Sequence, residues 1–144
     1  MSTTLADALV AAAAAENAAV YGYAVAGARL LSGTARASAR AAYDLHRAQV
    51  HTVAGWLASH GATPSPPAAV YELPHPVTDA NSAVALLALL EEGSAAAYAD
   101  VVAAAADEGL RRAAALALQS AAVREARWQG AAVPFPGLVG RLPT

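Results

Sequence analysis

Four stretches of the chain repeat small and apolar residues at helical spacing, and turn signals separate them. Over residues 3 to 31, Leu5, Leu9, Glu16, Val20, Tyr23, Gly27 and Leu30 fall on one narrow stripe. Ser32-Gly33-Thr34 ends that helix and can cap the next. From 35 to 60, Tyr43, His46, Val50, Val53 and Leu57 share an apolar face, while Arg36, Arg40 and Arg47 form a separate stripe. His60-Gly61 reads as a stop. Thr78 or Asp79 caps a third helix over 80 to 106, with Val84, Leu87, Leu90, Glu91, Ser94, Tyr98 and Val102 inward. Asp107-Glu108-Gly109 reads as a short turn before a fourth helix over 110 to 129. Leu110, Ala114, Ala117, Ala121 and Trp128 face inward there. Residues 131 to 144 read as an extended tail whose Phe135 and Leu138 could pack back on the helices.

The connection over 62 to 77, ATPSPPAAVYELPHPV, contains five prolines and cannot be helical. Extended at about 3.1 Å per residue, it reaches roughly 50 Å. A helix of this size rises about 1.5 Å per residue, so the segment can cross a whole bundle. A hairpin needs only a few residues. Short turn, long crossover, short turn predicts one all-α domain: a four-helix bundle with its crossover between helices 2 and 3, the ferritin-like arrangement.

Two acids interrupt the apolar stripes. Glu16 is followed seven residues later by Tyr23, and Glu91 by Tyr98, so the chain reads as a helical hairpin used twice, 75 residues apart. A buried carboxylate needs a metal, a cation, an imidazole or a proton to compensate it. Bundles of this topology can hold a di-iron centre: one Glu from each of two helices and a Glu-x-x-His pair from each of the other two. Here Glu16, His46 and Glu91 are the candidate metal ligands, with iron or manganese as the metal. The set falls short of the usual six side chains. Tyr43 stands three residues before His46, and Trp128 three after Glu125, so neither helix has Glu-x-x-His. The competing reading is a metal-free polar cluster. In it Arg124 neutralises one glutamate, His46 bonds the other, and Tyr23 and Tyr98 donate hydroxyls. Tyr43 and Glu125 complete the supporting set.

Composition narrows the choice. Apolar residues make up 57% of the chain and charged residues only 14%, against about 25% in ordinary domains. A surface so poor in charge implies that a partner covers part of it. All nine basic residues are arginine, as expected from a GC-rich bacterial genome. The absence of cysteine excludes disulfides and thiolate chemistry, and a net charge of −2 gives no support for nucleic-acid binding. Glu16 breaks the first apolar stretch, so the expectation is no signal peptide, no membrane span and a cytoplasmic protein.

The segments "LHR", "HGATP", "AVYELPHPVTD", "LLEEGSAAAYADVV", "AAVREARWQG" and "FPGL" add a resemblance. In that order they resemble an actinobacterial ferritin-like family of unknown function, over nearly the whole chain. The Glu-x6-Tyr pairs are also similar to those of ferritins and bacterioferritins. The resemblance implies the bundle fold and no established activity. Together these features predict a non-catalytic binding or self-association module, pairing as a homodimer. The alternative is an iron- or manganese-dependent oxidoreductase or metal-storage protein. An apolar ligand held between alanine-lined helices is a third option.

Overall fold

The computed structural model describes residues 3–130, which form four helices and no strand. α1 spans Leu5–Gly27, α2 Gly33–Ser59, α3 Ala80–Ala104 and α4 Glu108–Gln129. Each starts at a side chain that accepts a backbone N–H of the first turn: Thr4, Ser32, Asp79 and Asp107. Asp79 and Ser82 form a reciprocal capping box. The periodic stripe overstates α1, because Leu30 is buried from the following turn and not from the helix. The fourth helix starts earlier than its pattern implies. The Asp107 carboxylate takes the Leu110 N–H at 2.7 Å, so Glu108 and Gly109 are already helical. The tail residues Phe135 and Leu138 lie outside the described residues.

The repeat seen at two glutamates extends through the framework. α1 and α3 begin 75 residues apart (Leu5, Ala80), and so do α2 and α4 (Gly33, Glu108). Both short turns are tied alike: Arg36 Nη1 donates to Leu30 O, and Arg111 Nη2 to Ala105 O, at 3.3 and 2.7 Å. The chain is thus two helical hairpins of matching design.

Cross-bundle bonds give the directions. Tyr23 meets Glu91 and Tyr98 meets Glu16, which requires α1 and α3 to be antiparallel. Leu9 packs with Val53 and Leu57, and Ala26 and Leu30 with Ala39, so α1 and α2 are antiparallel as well. α2 and α3 therefore run the same way, and the connection from His60 to Asp79 must travel the bundle's length. α1 packs closely on α2 and α3, and α3 on α4, whereas α2 and α4 approach each other only marginally. Two apolar clusters fill the ends, one around Leu9, Leu57 and Val101, the other around Leu30, Leu86 and Leu87. The polar cluster lies between them.

By length and composition α1 and α3 could each cross a membrane, with mean hydropathy 1.3 and 1.2, even though each carries charge. Glu16 and Glu91 do not lower the average enough to remove them. The same apolarity serves the bundle, since about half of each window, 44% and 50%, is buried within it.

α2 ends in a paired motif: Gly61 N–H reaches Ala58 O and Ala62 N–H reaches Leu57 O, with Gly61 at φ +68°. A side chain at that φ is strained. Gly61→Ala is expected to lose about 1 kcal/mol in urea unfolding. Gly55→Ala, inside the same helix with open space around it, is expected to gain up to about 1 kcal/mol.

Candidate functional site

The seven-residue spacing is two helical turns, about 10.5 Å, so each glutamate and its tyrosine lie on one face of their helix. Because α1 and α3 are antiparallel, each tyrosine reaches the other helix's acid. Tyr23 Oη donates to Glu91 Oε1 at 2.5 Å, and Tyr98 Oη to Glu16 Oε1 at 2.6 Å. Glu16, Glu91 and His46 are fully buried, and both tyrosines are 2% exposed.

His46 projects from the middle of α2 between the two acids. Its Nδ1 lies 2.6 Å from Glu16 Oε2 and its Nε2 3.0 Å from Glu91 Oε1. Carboxylates only accept, so both ring nitrogens must carry protons for both bonds to form. Burial opposes the charged ring. The bonds to Glu16 and Glu91, and then their charges, outweigh it and raise the His46 pKa from 6.5 to about 9. Arg124 supplies the second cation: Nε donates to Glu91 Oε1 at 2.8 Å and Nη1 to Ser120 Oγ at 2.6 Å. Burial pushes the Glu91 carboxyl up, and the bonds from His46 and Arg124 overcome this to hold it below its ordinary value. Burial first, and then the facing carboxylates, push both tyrosine hydroxyls well above their usual range. Two carboxylates thus face one imidazolium and one guanidinium, and the charges cancel.

An outer layer fixes the tyrosines. Trp128 Nε1 donates to Tyr23 Oη at 2.8 Å, and Gln49 Nε2 to Tyr98 Oη at 3.1 Å. Trp56 meets the Tyr98 ring edge-on at 6.4 Å.

The sequence-derived set is mostly brought together. Glu16, His46, Glu91, Tyr23, Tyr98 and Arg124 form one network. Tyr43 does not join it. It is half-buried and packs against the apolar cluster around Leu30, Leu86 and Leu87, with Arg40 and Arg47 at 5.7 Å from its ring, because the arginine stripe borders its position. Glu125 is buried, but its bond is to Gln129 one turn on, and burial followed by the Glu92 charge raises its pKa. Gln49, Ser120 and Trp128 join the cluster without being expected there. The 75-residue repeat could have found Gln49, since it is the counterpart of Arg124.

The donor set does not fit a metal pair. Both nitrogens of His46 are bonded to carboxylates, so the one imidazole has no lone pair to offer. Its counterpart on α4 in the 75-residue repeat is Ala121. Glu91 Oε2, Glu125 Oε2 and Ser94 Oγ are the cluster's buried oxygens without a partner, too few for a bundle di-metal site. Among the described residues no group of three or more His, Asp or Glu is placed to hold a metal ion.

The fold and site define the class: an all-α four-helix bundle built around a buried, charge-balanced acid–imidazole cluster. A family model described as "Domain of unknown function (DUF4439)" matches residues 8–140, and the chain belongs to that family. It is similar to the crystal structure of a conserved hypothetical protein, rv2844, from Mycobacterium tuberculosis. The identity is 33% and the TM-score 0.81, over 85% of this chain and 92% of that one. A comparison with curated proteins finds no match.

Two expectations follow. Arg124→Ala leaves Glu91 short of its guanidinium and is expected to destabilise the fold by about 3–5 kcal/mol in denaturant unfolding. The His46 pKa is raised on folding, so its stabilisation is complete below about pH 6.5 and lost as pH rises through about 9. Thermal melts should show a loss on the order of 3 kcal/mol across that window. His46→Gln should lack the slope.

Proposed function

We propose that the protein is a ferritin-like bundle in which an ion-paired cluster stands where metal-holding bundles of this architecture place two metals, and that it is a non-catalytic binding module. One observation carries this reading: His46 spans Glu16 and Glu91 with both ring nitrogens. An imidazolium in that position, together with the Arg124 guanidinium, balances the two acids and leaves no nitrogen ligand. The cluster then serves to hold four helices in register, and the chemistry of the protein lies in what its surfaces bind. The low share of charged residues supports contact with a partner, and two-fold self-association is part of the same proposal.

Protein purified without chelators decides between this reading and the metal-dependent one. Elemental analysis is expected to give far less than one iron, manganese or zinc per chain, with no uptake on aerobic addition of ferrous iron. Stoichiometric metal that disappears in Glu16→Gln and Glu91→Gln variants would overturn the proposal and favour an oxidoreductase or storage role.

A further inference from the structure

We propose that the seam between α2 and α4 is a binding cleft for an amphipathic carboxylate, a molecule with one anionic head and an apolar chain. The inference rests on the binding-module reading and names the ligand class. α2 and α4 are neighbours in the bundle whose backbones approach only marginally. The gap holds two cavities of about 420 and 340 Å³ that share Leu45, Ser120 and Arg124, so they form one continuous groove. Its size is that of a small-molecule site.

The groove is polarised along its length. One half, towards the end of α4, carries Arg127, Arg124 and Trp128. Arg127 is exposed and makes no ion pair among the described residues. Arg124 is tied by Nε and Nη1, which leaves Nη2 for a ligand. The other half is walled by Trp56, Leu116, Ala113 and Ala117. Arg127 lines only the first half, so its guanidinium draws an anionic head to that end. Two guanidinium groups with free donors at one end and a channel walled by Leu45, Trp56 and Leu116 at the other fit a fatty-acid-like carboxylate. From Ala113 to Trp128 the groove follows about 22 Å of helix, enough for an extended hydrocarbon chain.

Both tryptophans of the chain line the groove, which gives a direct readout. The test titrates the full chain with dodecanoate, followed by tryptophan fluorescence and calorimetry, with dodecanol and acetate as comparators. Saturable dodecanoate binding is expected, with dodecanol at least tenfold weaker and acetate silent. Arg127→Gln should weaken dodecanoate about tenfold, and Leu116→Asp should abolish it. Both positions are exposed, so circular dichroism should show the fold intact. Absence of saturable binding overturns the proposal, as does equal affinity for dodecanol or an unaffected Leu116→Asp variant. A dimer in sedimentation that excludes dodecanoate overturns it too, by placing a second copy in the seam. Metal content separates the two readings. A metal-free chain that ignores dodecanoate loses only the cleft, whereas a metal-loaded chain that binds it loses only the non-catalytic assignment.

Discussion

The imidazolium of His46, held between two carboxylates that water cannot reach, is the interaction on which the bundle depends. Glu16 and Glu91 sit at the centre of the two most apolar helices, where an unpaired carboxylate is severely unfavourable. Hydroxyl donors from Tyr23 and Tyr98 satisfy lone pairs but cancel no charge. Arg124 cancels one charge, and it reaches only Glu91. Without His46, the middle of the bundle would carry an uncompensated anion. A buried ion pair gives little net stability against a hydrophobic replacement, yet losing one member is strongly unfavourable. Its value here is alignment, because only one register of α1, α2 and α3 lets both ring nitrogens reach their acids.

The 75-residue repeat explains how such a cluster arises from two similar hairpins, and its breaks explain the charge balance. Helix starts, N-caps, the arginine-tied turns, the glutamates and the tyrosines all recur. At the centre of α2 and α4 the repeat breaks. His46 is matched by Ala121, and Gln49 by Arg124. A strict repeat would set two imidazoles, two amides and two carboxylates at the centre, a set with free nitrogen donors. The alanine reduces the imidazoles to one that must serve both acids, and the arginine brings the second positive charge. The asymmetry therefore converts a possible ligand shell into a closed ion cluster.

Much of this was legible in the sequence. The glutamates, His46 and the tyrosines announce themselves as polar groups at apolar positions of a helical stripe, and the five-proline segment demands a long crossover. The pairing of Arg124 with one glutamate also follows from the need for a buried counter-charge. What periodicity could not supply was which turn of α2 and α4 faces the centre, because alanine gives weak contrast between faces. Tyr43 reads as inward by spacing but is only half-buried, with two arginine side chains against its ring. Trp128 reads as a helix-end packing residue, yet its indole N–H donates to the Tyr23 hydroxyl. The apolar length of α1 and α3 is ambiguous for a physical reason: a helix that buries about half of its residues in a bundle and one that crosses a lipid bilayer can have similar composition.

Three of the four helix seams are occupied by the cluster's own bonds and by leucine packing, and the fourth is not. α1 to α2 is closed by His46 on Glu16, and α1 to α3 by the crossed tyrosines. α3 to α4 is closed by Arg124 on Glu91. Neither His46 nor Arg124 bridges α2 to α4, because both are aimed at acids on the opposite pair of helices. Geometry then leaves that seam lined by whatever the two helices carry beside their polar residues, including Ala41 and Ala42 on one side and Ala113 and Ala117 on the other. Alanine keeps a helix stable without filling the space in front of it. The charge balance that holds the core and the open groove along one side of the bundle are consequently two results of the same placement of residues.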